Sequence, residues 1–158
     1  MPPLLSLTLA AILAGAALVL AFFRKAPAVA LAFIAMLVAA AGPFVFSAAT
    51  LWFWGAATAL ALAIQYLAPI HVPARLRAYT VGAALTGAVV GLAFGSTAAV
   101  IIAACVGALL GFIAFRRTPE GRELPSRSAA VQVLAPCALP AVVNFSILML
   151  IFSQLIQL

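Results

Sequence analysis

The chain is 158 residues long, 68% hydrophobic and only 6% charged, with eight Lys/Arg against two acids and a net charge of +6. A soluble domain carries about a quarter charged residues, so this composition excludes a water-facing surface and predicts an apolar exterior covered by lipid. The basic balance lacks the soluble scaffold and stacking aromatics of a nucleic-acid binder, and the mean hydropathy of +1.34 predicts an all-α integral membrane helical bundle whose first partner is the bilayer.

The first apolar run, about 3–23, ends at Arg24–Lys25. A signal peptide carries its charge before the apolar stretch and a small-residue cleavage site after it, so the reversed order predicts a retained first helix. The second run, about 26–46, and the third, about 51–69, are too long for one crossing, because about 20 residues span the hydrocarbon. Gly42-Pro43 and the Ser47–Thr50 stretch punctuate them and predict a tight uncharged turn. Trp52 and Trp54, just beyond it, suit an aromatic belt at the outer interface.

From Ala78 to Phe115 no charge interrupts the chain. As one helix this run would be about 57 Å long at 1.5 Å per residue, about twice the hydrocarbon thickness. It must therefore fold back. Gly95-Ser96-Thr97 is the natural turn, giving spans of about 78–95 and 97–115. The only strongly polar loop follows, from Arg116 to Arg127, and a last span lies at about 129–157. Pro136 and Pro140 each remove a helix hydrogen bond there. The last segment is therefore a kinked span or a shorter one preceded by an interfacial stretch, and five spans result if it fails to cross.

With about six spans in one domain, loops alternate sides. The basic patches Arg24–Lys25, Arg75–Arg77 and Arg116, Arg117, Arg122 and Arg127 then fall in the first, third and fifth loops. The second and fourth loops carry no charge. The positive-inside rule places all eight cations in the cytoplasm and both termini outside.

Membrane helices associate by close packing of small residues, since lipid tails are as apolar as leucine. Ala83, Gly87, Gly91 and Gly95 recur every four residues along one face. Ala99, Ala103, Gly107 and Gly111 do the same on the next span. The two stripes predict a close antiparallel hairpin, a central glycine zipper, used for intramolecular packing or for a dimer or partner seam. Ala10/Ala14, Ala28/Ala32 and Gly55/Ala59/Ala63 are weaker versions.

From about Phe33 to its end, the chain resembles a family of small bacterial membrane proteins of uncharacterised function. The residues carrying the resemblance are Gly42-Pro43, the polar-aromatic pair Gln65-Tyr66, the short basic loop from His71 to Arg77 and the glycine-rich hairpin from Gly82 to Gly111. The resemblance implies a multi-pass fold in the bacterial inner membrane and implies no activity. Family members carry an acid where Gln65 stands and another after the second zipper, where this chain has Phe112 and Phe115.

Ionisable groups inside the membrane are the usual sites of chemistry, and these spans contain almost none. Glu120 and Glu123 lie among four arginines as a solvated cluster, which argues against proton-coupled transport. His71 lacks partners for a metal site and reads as an interfacial polar residue. Cys105 and Cys137 lie in apolar stretches without metal or disulfide spacing. An intramembrane serine protease would need a histidine beside its serine, whereas Ser96 and His71 are predicted on opposite sides; Ser96 reads as turn chemistry. No catalytic residue, metal or other cofactor is expected.

Thr58, Gln65, Thr86, Asn144 and Ser146 are the remaining polar residues of the spans. Pro136, Pro140 and Asn144 share a face, either a self-satisfied kink or a broken helix lining a small polar cavity. The leading expectation is a non-enzymatic membrane protein acting through helix packing, self-association (a homo-oligomer) or docking to a larger membrane partner. The alternative is a small-molecule or ion transport component with its cavity at the kinked last helix. Enzymatic action on lipids ranks third, because no nucleophile–base pair is visible.

Overall fold

Prolines mark where several helices begin. Pro27 and Pro73 stand immediately before helical segments and Pro119 opens a third, positions where the missing N–H costs nothing. The computed structural model describes residues 3–23, 27–42, 46–67, 72–123 and 127–156. Among them all regular structure is helical: α1 (Pro3–Leu20), α2 (Ala28–Ala40), α3 (Ala48–Leu67), α4 (Ala74–Leu92), α5 (Thr97–Arg116), the single turn α6 (Pro119–Arg122) and α7 (Arg127–Ile156). Arg24, Lys25, Pro43 and His71, singled out in the sequence, lie outside the described residues.

Three segments are long and apolar enough to cross a membrane: Ala48–Leu67, Thr97–Arg116 and Ala135–Ile156 within α7. Leu5–Leu20 and Ala28–Ala40 are shorter apolar helices. The 13-residue α2 extends about 20 Å at 1.5 Å per residue, shorter than the apolar run that contains it. α4 opens with Arg75 and Arg77 in its own first turn.

The hub of the bundle is α7, which packs against α1, α2, α3, α4 and α5. Every residue from Ala141 to Leu148 is buried. The sequence places the glycine-rich hairpin at the centre; the structure corrects this. The α4–α5 hairpin is the most extensive helix pair, but it packs on one side of α7. Periodicity could not reveal this, because the apolar residues of α7 are spread around the helix with no dominant face.

Between α4 and α5 the backbones nearly touch. A methyl group on Gly87 would overlap the Ala103 carbonyl, and one on Gly107 would overlap the Ala83 carbonyl. One on Gly91 would come within 2.6 Å of the Val100 Cα, and one on Gly111 would collide with the Tyr79 carbonyl. The Gly87/Ala103 and Gly107/Ala83 contacts are reciprocal, each glycine on one helix facing a carbonyl on the other. Such approach favours Cα–H···O contacts and dispersion. Gly95 is not part of this seam. It occupies the turn with φ +67° and nothing within 4 Å of a Cβ, while Ser96 Oγ accepts a 3.1 Å hydrogen bond from the Ala99 amide and caps α5,.

Trp52 is 80% exposed, but Trp54 is buried and meets Phe53 edge-on at 5.2 Å. Residues two apart on a helix point roughly 200° apart, so the pair cannot share an outward belt.

Candidate functional site

Arg77 is where the structure departs furthest from the sequence expectation. The sequence places Arg75 and Arg77 together in the third loop; because α4 begins at Ala74, both are helical. Two positions apart, they point to opposite sides. The Arg75 side chain is 73% exposed and pairs with Glu120 at 2.5 Å, which ties α6 to the start of α4. Arg77 is only 9% exposed, and its Nε has no hydrogen-bond partner among the described residues. The chain's two acids are Glu120, held by Arg75, and the exposed Glu123. No carboxylate among the described residues pairs with Arg77.

The Arg77 side chain lines a cavity of about 20 Å³ together with Gln65, Pro136, Cys137, Pro140 and Asn144. Leu20, Ala21, Phe23, Ala28 and Val29, from either side of the α1–α2 junction, close its other side. A water molecule needs about 10–15 Å³ measured this way, so the space takes one water-sized guest. Asn144 is fully buried. Its Nδ2 donates a long 3.4 Å hydrogen bond to the Ala17 carbonyl, and its Oδ1 has no partner among the described residues. Pro136 and Pro140 have no N–H to offer the carbonyls of residue 132 and Pro136. The helix wall beside Asn144 therefore carries extra acceptors.

The three residues proposed from sequence as a cavity face, Pro136, Pro140 and Asn144, thus line one space. Sequence reasoning missed Arg77, Gln65 and Cys137. A signal for Arg77 existed: once Pro73 is read as the helix start, Arg77 stands in register with the buried Val81, Ala84 and Ala88, along one helix face. Thr58, Thr80 and Ser146 are also buried with hydroxyls lacking partners. Thr86, by contrast, is exposed and donates to the Gly82 carbonyl at 3.0 Å.

Comparison with protein-family models, curated proteins and solved structures finds no match for this chain.

The cavity lies at one end of the bundle, where α1 and α3 finish and α2 and α4 begin. Arg116 and Arg117 at the end of α5, and Arg122 of α6, belong to this same end through the Arg75–Glu120 pair. At the opposite end, Phe46 to Trp54, Thr97, Leu150 and Gln154 surround a wider space of about 490 Å³. Ser47 and Thr50 supply hydroxyls there, bonded to one another at 2.8 Å. The described arginine side chains thus cluster at one end, and the hydroxyl-lined turns lie at the other.

Proposed function

We propose that the chain is a multi-pass inner-membrane protein of about six crossings, non-enzymatic, that binds a small polar solute at the Arg77–Asn144 cavity as a transport or capture component. The observation that carries this reading is the buried polar cavity on α7, with a guanidinium Nε and an amide oxygen that have no partner among the described residues. Ionisable groups placed inside a bundle are expensive and usually functional. The alternation of helix ends supports six crossings, with the arginine-rich end cytoplasmic and both termini outside. The glycine faces of α4 and α5, read as a zipper, hold the hairpin that carries Arg77.

Cys137 lines the cavity and Cys105 is exposed on the outer face of α5, which provides a direct test. The closed space holds one water-sized guest, so a transport or capture component must open it. In a Cys105→Ser background, a small charged thiosulfonate reagent applied to sealed vesicles should modify Cys137 during such opening, from the cytoplasmic side and not from the other. Absence of modification from either side would show a cavity closed to solutes and overturn the reading.

A second reading, association with another copy or a larger membrane partner, is favoured by the apolar groove of about 600 Å³ between α1, α4 and α7. Since the α4 and α5 glycines are occupied within the chain, this face and not the zipper would carry association. Oligomeric state in mild detergent, compared with Gly15→Leu on the groove wall, tests it: a monomer in both would remove this reading.

A further inference from the structure

We infer that Arg77 is the receptor for one oxygen of an oxyanion, a phosphate or carboxylate group supplied from outside the chain. The inference rests on the cavity reading above and names the chemistry of its ligand. Four observations lead to it.

Arg77 is more than nine-tenths buried, and its Nε has no partner among the described residues. A guanidinium cannot shed its proton to escape the desolvation cost, so the cost is met by an opposite charge. The chain supplies none, since of its two acids Glu120 is engaged by Arg75 and Glu123 is exposed. The compensating anion must therefore come from solution or from lipid.

The guanidinium fork matches oxyanions, and its hydrogen bonds to them are the strong, charge-assisted kind. The enclosed space of about 20 Å³ admits one oxygen and not a whole phosphate. The group therefore reaches Arg77 with a single oxygen, through the 9% of the residue that remains accessible, while the rest of its molecule stays outside. Arg75 and Arg117, exposed at the same end, raise the local anion concentration. Asn144 Oδ1, lacking a donor among the described residues, accepts a hydrogen bond from a protonated ligand oxygen.

Free phosphate and the phosphate of an anionic lipid share this chemistry, and the test separates them. Purified full-length protein in neutral maltoside detergent is titrated with inorganic phosphate, with sodium chloride at matched ionic strength as control. In parallel, it is placed in nanodiscs of phosphatidylcholine with or without phosphatidylglycerol. Phosphate or phosphatidylglycerol should raise the unfolding midpoint by about 3 °C or more, the scale of a modest ligand in a domain of this size. A response to phosphate identifies a soluble oxyanion, and a response to phosphatidylglycerol alone identifies a headgroup. Arg77→Met should abolish the shift, yet unfold no earlier than wild type without anion, because an unpaired buried charge is lost. Arg75→Gln should retain the shift.

An equal response to chloride, a shift that survives in Arg77→Met, or no shift in either arm would overturn the inference. The two readings fail separately. Cys137 modification without any anion response leaves a solute cavity of other chemistry. An anion response without modification leaves a closed site for a structural anion.

Discussion

Gly87 and Gly107 make reciprocal contacts across the α4–α5 seam, each Cα facing the carbonyl of the small residue, Ala103 or Ala83, four positions from the other glycine. Neither helix can accept a Cβ there without separating from its partner. Gly107→Ala and Gly91→Ala should each cost about 1–3 kcal/mol, the range of overpacking in a rigid core. Gly82→Ala, with nothing within 4 Å, should instead be neutral or gain up to ~1 kcal/mol from helix propensity. Thermal unfolding in detergent checks the ordering, and a Gly107→Ala protein as stable as wild type would contradict the seam.

The turn between these helices depends on two adjacent residues with different roles. Gly95 holds φ +67°, a region that strains side-chain-bearing residues, and Ser96 caps α5 through the Ala99 amide. Gly95→Ala and Ser96→Ala should each destabilise by about 1 kcal/mol. Because they act at neighbouring positions of one turn, the double variant should depart from additivity. Unfolding midpoints of the two single variants and the double variant measure this.

This turn was legible in the sequence because its signals are local: a glycine, a capping serine and too long a run of uncharged residues. The α4–α5 stripes were legible for the same reason, as a four-residue period along one face. The position of α7 was not. A helix whose apolar residues surround it on all sides carries no dominant face to say what it packs against, and only the assembled bundle makes Phe145 and Ile147 fully buried. Arg77 was read through its neighbour Arg75, since a charge pattern averages over two residues that a helix separates by half a turn. Pro136, Pro140 and Asn144 were legible as one face, whereas the arginine from another helix that completes their cavity has no signature at that range.

Buried hydroxyls near the cavity give a further distinction. Thr80 is fully buried, and its Oγ1 has no partner. Replacing an unsatisfied polar group with an apolar one of the same shape is neutral or stabilising, so Thr80→Val should hold or raise the unfolding midpoint. A drop equivalent to about 1 kcal/mol or more, the value of a made hydrogen bond, would mean that Thr80 has a partner in the membrane.

The Arg75–Glu120 pair joins α4 to the loop after α5 but is exposed on both sides, 73% and 55%. Such pairs contribute about 0–1 kcal/mol and fade with salt. A double-mutant cycle with Arg75→Gln and Glu120→Gln should return a coupling below about 1 kcal/mol that shrinks as salt rises. A large, salt-independent coupling would assign this pair a structural role.

Everything proposed for the cavity depends on how the bundle is threaded, with the arginine-rich end in the cytoplasm and the hydroxyl-lined end outside. Paired topology reporters, one fused after Leu158 and one inserted in the Arg116–Arg127 loop, measure this most directly. Six crossings predict opposite sides, with the loop reporter cytoplasmic and the C-terminal one outside. Both reporters on the same side would contradict the six-crossing bundle, and with it the placement of Arg77 at a cytoplasmic membrane cavity.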